Sequence, residues 1–318
     1  MAQHFLLSAA ARSLSLKEIY KAGEQAAYET FKAMRWEGGE PVCPRCGCCE
    51  AYDISTRRKF KCKACYHQFS VTSGTIFASR KLDFVDMLAA ICVFVTNAKG
   101  MSSVQFSRTL DVQYKTAWVM AHKLREALSD EVENAKLDGE VEIDGAYFGG
   151  HVRPENRKVD RLDRRLTENR SGRRRVVVAL RERGGRTLTF IRKREAEGVE
   201  IARSIVSHDA MMFADEGTHW DALDGAFNCG RVNHSVEYSA KNGKHTNWVE
   251  SYFSRLRRMV GGQHHFVSHK YLYQYANHAA WIEDHRSEGS KALVQRVAAN
   301  AMAAPVSRTF KGYWQRAA

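Results

Sequence analysis

The sequence predicts a mixed α/β protein in which a helical, cysteine-bearing front precedes an α/β back. Three observations carry this. Six of the eight cysteines fall between Cys43 and Cys65. The stretches on either side, residues 14–36 and 83–133, contain few helix breakers. From Val141 onward, short apolar runs alternate with helical patterns. Residues 141–144 alternate in polarity, and 175–180, 187–191 and 211–214 read as buried strands. Helical signals occupy 198–206, 219–223, 247–260 and 269–286. The front helices are interrupted at 99–102 and around 110–112.

A chain of 318 residues with 44% hydrophobic content is large enough for two or three cores. The segments drawn from composition are a helical N-terminus (1–40), a cysteine ribbon (41–75), a helix-turn-helix region (76–136), an α/β domain (137–286) with an Arg-rich insert (151–175), and a C-terminal tail (287–318). The net charge of +13 favours a polyanionic partner, nucleic acid before an anionic membrane, because no basic amphipathic helix stands out. The longest apolar run, residues 87–95, is nine residues against the ~20 a bilayer requires. The first residues carry no Lys or Arg ahead of their short apolar stretch, unlike a secretory signal. The expectation is an intracellular protein.

Clustered cysteines in a reducing compartment point to metal rather than disulfide. Cys43-Pro-Arg-Cys46 and Cys62-Lys-Ala-Cys65 are two CxxC pairs with 15 residues between them. Each pair fits a tight turn, and a hairpin between them brings four thiolates onto one zinc ion. Cys48 and Cys49 are read as non-ligands, with Phe60, Phe69 and Tyr52 supplying the apolar shell. Arg45, Arg57, Arg58, Lys59, Lys61 and Lys63 lean the ribbon toward DNA, against the alternative of a solvated basic face.

Residues 99–120 run helix, turn, helix. Ser102 or Ser103 caps the first helix, and Leu110-Asp111-Val112 makes the connection. In a DNA-binding unit the second helix presents its start to base edges, here Gln113, Tyr114, Lys115 and Thr116. An ordinary helical hairpin has the same pattern. The Arg-rich insert holds ten Lys or Arg among the 23 residues 153–175 and ends in Arg173, Arg174 and Arg175. It suits DNA phosphates or a solvated loop.

Three acids stand out in the α/β half. Asp144 lies within a strand, Asp215 ends another, and Glu250 lies on a helix whose apolar stripe is Val249, Phe253, Leu256 and Val260. Three such carboxylates, if brought together, need hard divalent cations, Mg²⁺ or Mn²⁺, to offset their repulsion. Glu142, on the same strand face as Asp144, is a candidate to assist, and Glu216, Asp221 and Glu283 stand in reserve. His264, His265, His269 and His278 invite a metal reading, though DNA contact or packing suits them better.

The order of these features resembles bacterial insertion-sequence DDE transposases with an N-terminal zinc ribbon, the ISXO-like group. The ribbon, Phe69-Ser-Val-Thr-Ser-Gly-Thr-Ile-Phe77, Lys99-Gly-Met-Ser102, Lys115-Thr-Ala-Trp118, Val141-Glu-Ile-Asp-Gly145, Val249-Glu-Ser-Tyr-Phe-Ser254 and His265-Phe-Val-Ser-His-Lys-Tyr-Leu272 carry the likeness, over residues 20–286. The resemblance implies a ribonuclease H-like domain with Asp144, Asp215 and Glu250 as catalytic, magnesium-binding acids, and Arg257 as a phosphate contact. Asn277-His278 stands where many relatives have an acid. It further implies binding of element ends and target DNA, cleavage and 3′-hydroxyl transfer, a homodimer or higher oligomer on DNA, and a cytoplasmic, nucleoid-associated location. A structure-specific nuclease or resolvase of the same fold, or a non-catalytic DNA-binding regulator derived from one, are the rival readings.

Overall fold

The computed structural model describes residues 4–36, 38–129, 135–150, 155–163, 166, 172–232, 243–307 and 309–310. The chain forms two compact units: Met1–Asp130 with His285–Ala318, and Glu131–Asp284.

In the first unit, α1 (Leu16–Arg35) begins with a capping box. Ser15 Oγ accepts from Glu18 N, and Glu18 Oε2 accepts from Ser15 N at 2.7 Å, so two otherwise orphaned donors are satisfied. Gly23 interrupts the helix at φ 79°. Beyond it, Glu24 accepts from Arg58 at 2.7 Å and from Val85 N at 2.8 Å. Strands β1 (Ala51–Ile54), β2 (Lys59–Cys62) and β3 (Gln68–Phe69) form an antiparallel ribbon. Helix α2 (Phe84–Thr96) is buried from Met87 through Val95, the apolar run seen in the sequence, which makes it a central helix rather than a membrane one. No helix among the described residues is long and apolar enough to cross a membrane. Helices α3 (Ser103–Thr109) and α4 (Tyr114–Ser129) follow.

One expectation needs correction here. The tail 287–318 is, in its described part, a structural member of this first unit. The chain's last helix, Ser290–Ala303, buries Val294, Val297, Ala298 and Ala301 and packs on α1, α2 and α4. Beyond it, Ile76 N donates to Ala304 O at 2.9 Å, and the Phe310 ring meets Trp118 at 5.5 Å. Arg35 donates to the carbonyls of Met302 and Ser73.

The second unit is built on a five-stranded sheet in the order β6-β5-β4-β7-β8. Strands β4 (Glu140–Phe148), β5 (Arg175–Glu182) and β6 (Thr187–Arg192) make an antiparallel meander. Helix α5 (Glu197–Ile205) then crosses over, so β7 (Met211–Asp215) and β8 (Asn228–Val232) lie parallel to β4 on its other edge. This is the ribonuclease H-like arrangement. The alternation of β5 divides the packing. Val176, Val178 and Leu180 join the core under α5 with Val141, Ile143, Met212 and Trp220. Arg181 points the other way, to α6 (Asn247–Met259) and α7 (Leu272–Asp284), through Trp248 O and Glu283. Strand β8 escaped sequence reading, because Asn-Cys-Gly-Arg-Val carries too few apolar residues to announce an edge strand.

Candidate functional site

The ribbon gathers its four cysteines at two matching turns. Gly47 N donates to Cys43 O at 2.9 Å and Tyr66 N to Cys62 O at 3.1 Å. Gly47 (φ 73°) and Tyr66 (φ 56°) both adopt the left-handed conformation that closes each turn. Cys43 and Cys65 Sγ are 3.7 Å apart, Cys46 and Cys62 Sγ 3.5 Å, and all four sulfurs lie within 4.8 Å of one another. Bonds of about 2.3 Å to a tetrahedral Zn²⁺ require sulfurs about 3.8 Å apart, so the cluster fits the ion. The backbone N–H of Cys65 lowers the Cys62 thiol to about 6, while, against the Cys48 N–H, hydrogen bonds to the Cys65 and Cys62 sulfurs push Cys46 up to about 12, so without metal the pair shares a proton. Cys48 and Cys49 turn instead to the carbonyls of Glu50 and Gly47.

Phe60 and Phe69 are buried as expected, but Tyr52 is 56% exposed. Its place is taken by Trp36, which packs edge-on against both phenylalanines. Tyr52 lies on the outward face of β1, with Lys63 over its ring. Removing zinc with a chelator, or Cys62→Ser, is expected to unfold the ribbon and leave the second unit folded. Metal analysis should find one zinc per chain; a zinc-free ribbon resisting proteolysis would refute this.

In the helical pair, Ser102 Oγ accepts from Gln105 N at 3.2 Å and so caps α3. Asp111 (φ 50°) turns the chain into α4. Gln113, Tyr114 and Lys115 are exposed at the start of α4 and Thr116 is half-buried, while Leu124 and Leu128 are buried.

In the second unit, elements far apart in sequence carry the acids close enough for the charges of Asp215 and Glu250 to act on Asp144. Asp144 is half-buried near the middle of β4, Asp215 ends β7, and Glu250 lies in the first turn of α6. Burial raises the Asp144 carboxyl from the usual 3.8 to about 7; the Gly145 N–H opposes this, and the charges of Asp215, Glu195 and Glu250 add to it. Asp215 Oδ1 accepts from Gly217 N at 3.1 Å, and Glu250 Oε1 from Thr246 Oγ1 at 3.0 Å.

Because the fold raises this carboxyl, the folded state holds a proton that the unfolded chain releases. Metal-free stability therefore falls as pH rises from about 4 to 7, and the full penalty remains above 7. Asp144→Asn is expected to raise metal-free stability at pH 8 by about 2–4 kcal/mol and to have little effect below pH ~4. Thermal unfolding across that range in magnesium-free buffer checks it.

Glu142 corrects another expectation. It is fully buried, and both of its carboxylate oxygens already have partners. Its Oε2 accepts the backbone N–H of Trp248 (2.8 Å) and Val249 (3.0 Å), capping α6 from a neighbouring strand. Its Oε1 accepts from Arg183 at 2.8 Å and lies 3.1 Å from His245 Nδ1. Glu142 thus ties the helix of Glu250 to the strand of Asp144. Of the reserve acids, Glu283 pairs with Arg181 and Arg255, Asp221 pairs with Arg231, and Glu216 is exposed. Asn277 accepts from Thr189 Oγ1 across the α7–β6 contact, and His278 is buried beside it. His264 packs on Tyr275, and His265 and His269 are exposed.

Arg257 is exposed, its guanidinium 5.7 Å from the Phe253 ring, and two helical turns separate it from Glu250. Arg174 stacks 4.2 Å over the Tyr147 ring, and its charge acts on Glu195. Arg175 is drawn to the carbonyls of Gly172 and Arg174. Residues 151–154, 164–165 and 167–171 of the Arg-rich insert lie outside the described residues. Sequence reading missed Glu195 altogether, since nothing in its local pattern distinguishes it from a surface acid.

A ribonuclease H-like sheet bearing these acids, preceded by a four-cysteine ribbon, defines a DDE-type transposase, a DNA-acting enzyme. Residues 136–284 match the family model of the ISXO2-like transposase domain, and residues 22–68 that of the transposase zinc-ribbon domain. The chain belongs to this ISXO2-like, IS1595-type family of transposases. No curated protein and no solved structure matches it significantly.

Proposed function

We propose that the enzyme binds the terminal inverted repeats of its mobile element, cleaves a strand there and joins the freed 3′-hydroxyl to target DNA, using Asp144, Asp215 and Glu250. The observation that supports it most is that Asp144 on β4, Asp215 at the end of β7 and Glu250 on α6 are near enough for the charges of the last two to help raise the Asp144 carboxyl. All-oxygen donors of high charge suit Mg²⁺ or Mn²⁺, and zinc belongs with the thiolates. When bound, a pair of such ions supplies an activated attacking oxygen and stabilises the leaving one.

The side chains supply the geometry for this chemistry. Asp144 and Asp215 stand on neighbouring parallel strands, and Glu142 fixes the start of α6, the turn that carries Glu250. In the first step water breaks the phosphodiester at the element end, leaving a 3′-hydroxyl. In the second, that hydroxyl attacks a target phosphodiester: a new P–O bond forms, the old one breaks, and its 3′-oxygen leaves. No bond to the protein is made. Gln113, Tyr114, Lys115 and Thr116 read the ends, Arg173, Arg174, Arg175 and Arg257 hold phosphates, and two ends are synapsed by a homodimer or larger assembly on the bacterial nucleoid.

The deciding experiment incubates the protein with Mg²⁺, duplexes carrying the element's ends, and a target plasmid. Joined products support the proposal; hydrolysis without joining assigns a nuclease instead. Binding should weaken steeply with salt as Lys and Arg displace condensed counterions. Replacing Arg173, Arg174 and Arg175 with Ala together is expected to lower affinity for all duplexes alike and to flatten the log–log salt slope by about 3. A loss confined to one sequence would mean that the segment reads bases.

A further inference from the structure

The chemistry described so far gives no role to His265-Phe-Val-Ser-His-Lys-Tyr-Leu272, the connection from α6 to α7. Its backbone is unusual. Helix α6 runs on into a π-helical turn, Val260–His264, a rare form found most often at functional sites. Directly after it, Phe266 N donates to His264 O at 2.6 Å across His265. With φ 57° and ψ −43°, His265 makes the rare and strained form of γ-turn. The turn leaves the Phe266 side chain 65% exposed between two anchors: the His264 ring packs on Tyr275 at 4.6 Å, and Val267 is buried. Such strain persists only where the surrounding packing holds it, and it gathers at functional positions.

The charge of the segment selects the partner of this ring. From Ser251 to Ile282 the sequence contains no acid, against Arg255, Arg257, Arg258 and Lys270. Arg255 is engaged by Glu283, while Arg257, Arg258, His265, His269 and Lys270 are exposed. An exposed aromatic ring held among cations suits a polyanion with an apolar interior, the base stack of DNA between its phosphates. We propose that Phe266 is a wedge that enters the base stack of the element-end duplex and unstacks one step, while the flanking cations take phosphates. This rests on the reading that the enzyme binds and cuts those ends. Met259 lies at the end of α6, about 14 Å beyond Glu250 at 1.5 Å per residue. For a duplex cut at the acids, the wedge therefore meets a step within roughly the first six base pairs, at 3.4 Å each.

The test uses the full-length, zinc-loaded protein and element-end duplexes that carry 2-aminopurine at each terminal position in turn, a base that brightens when unstacked. Wild type is expected to raise the fluorescence about threefold or more at one position. Phe266→Ala should abolish that rise and slow Mg²⁺-dependent cleavage about tenfold or more. Its Tm should be unchanged, because the ring is exposed. Phe266→Leu, still apolar, should keep part of both effects. A mismatch at the responsive position unstacks the step beforehand and should return Phe266→Ala cleavage to within a few-fold of wild type, a rescue that a structural defect would not show. If wild type cuts the ends with no rise at any position, or Phe266→Ala keeps both the rise and the rate, there is no wedge. A lowered Tm, or a loss of self-association on sedimentation, without rescue by the mismatch would give the ring a packing role and overturn the proposal equally. If wild type neither binds nor cuts the ends, the reading of the ends itself fails, and the wedge with it.

Discussion

Asp144→Ala, Asp215→Ala and Glu250→Gln are each expected to lower both cleavage and strand transfer by roughly a thousandfold or more, while binding to element ends stays within a few-fold of wild type. A thousandfold loss corresponds to about 4 kcal/mol of transition-state stabilisation, what is at stake when one oxygen ligand is removed from an ion that acts only as the phosphodiester is attacked. In the proposed mechanism end binding rests on other groups, the ribbon, the helical pair and the basic surface. Supplying pre-cut ends separates the two steps, and a single site requires both to fail together. Mn²⁺ should substitute for Mg²⁺. If Glu250→Gln transferred pre-cut ends at a near-normal rate, Glu250 would lose its place among the catalytic acids.

Glu142→Ala should destabilise the second unit by about 3–5 kcal/mol. It strips the cap from α6, leaving the N–H groups of Trp248 and Val249 without their acceptor. It also removes one carboxylate partner of Arg183, whose guanidinium is largely enclosed between Glu142, the His245 carbonyl and the Phe213 ring. Such a cost is a large fraction of a domain's 5–15 kcal/mol and should lower the melting temperature by about 10 °C. Glu142→Gln keeps an acceptor for the helix but loses the charge, and should fall between. Strand transfer should drop in both variants even at temperatures where the unit is folded, because the start of α6 positions Glu250. If the melting temperature held but transfer vanished, Glu142 would instead belong with the acids that hold the ions.

These two predictions separate what was legible in the chain from what was not. Asp144, Asp215 and Glu250 stood out because each sits at a definite place in a strand or helix pattern. Glu142 shares the face of Asp144, and from that parity alone it looked like a spare ligand. Its actual partners are backbone N–H groups 106 and 107 residues away. Tyr52 was misread for a related reason: aromatic character suggested the ribbon core, but the pleat of β1 turns it outward and leaves the place to Trp36.

The sequence by itself determined the features that depend on short separations. The CxxC spacings define the zinc ligands, apolar periodicity locates α2, α6 and most strands, and the excess of Lys and Arg indicates a polyanionic partner. Only the tertiary structure decided that the last described helix completes the first unit, that Glu142 caps α6, and that Glu195 packs against Gly145. The physical reason is that local patterns arise from backbone geometry repeating every two or 3.6 residues, which any stretch of chain displays. Contacts between distant segments depend on strand order, crossover direction and the space left by a missing side chain. None of these leaves a periodic trace in the residues that eventually meet.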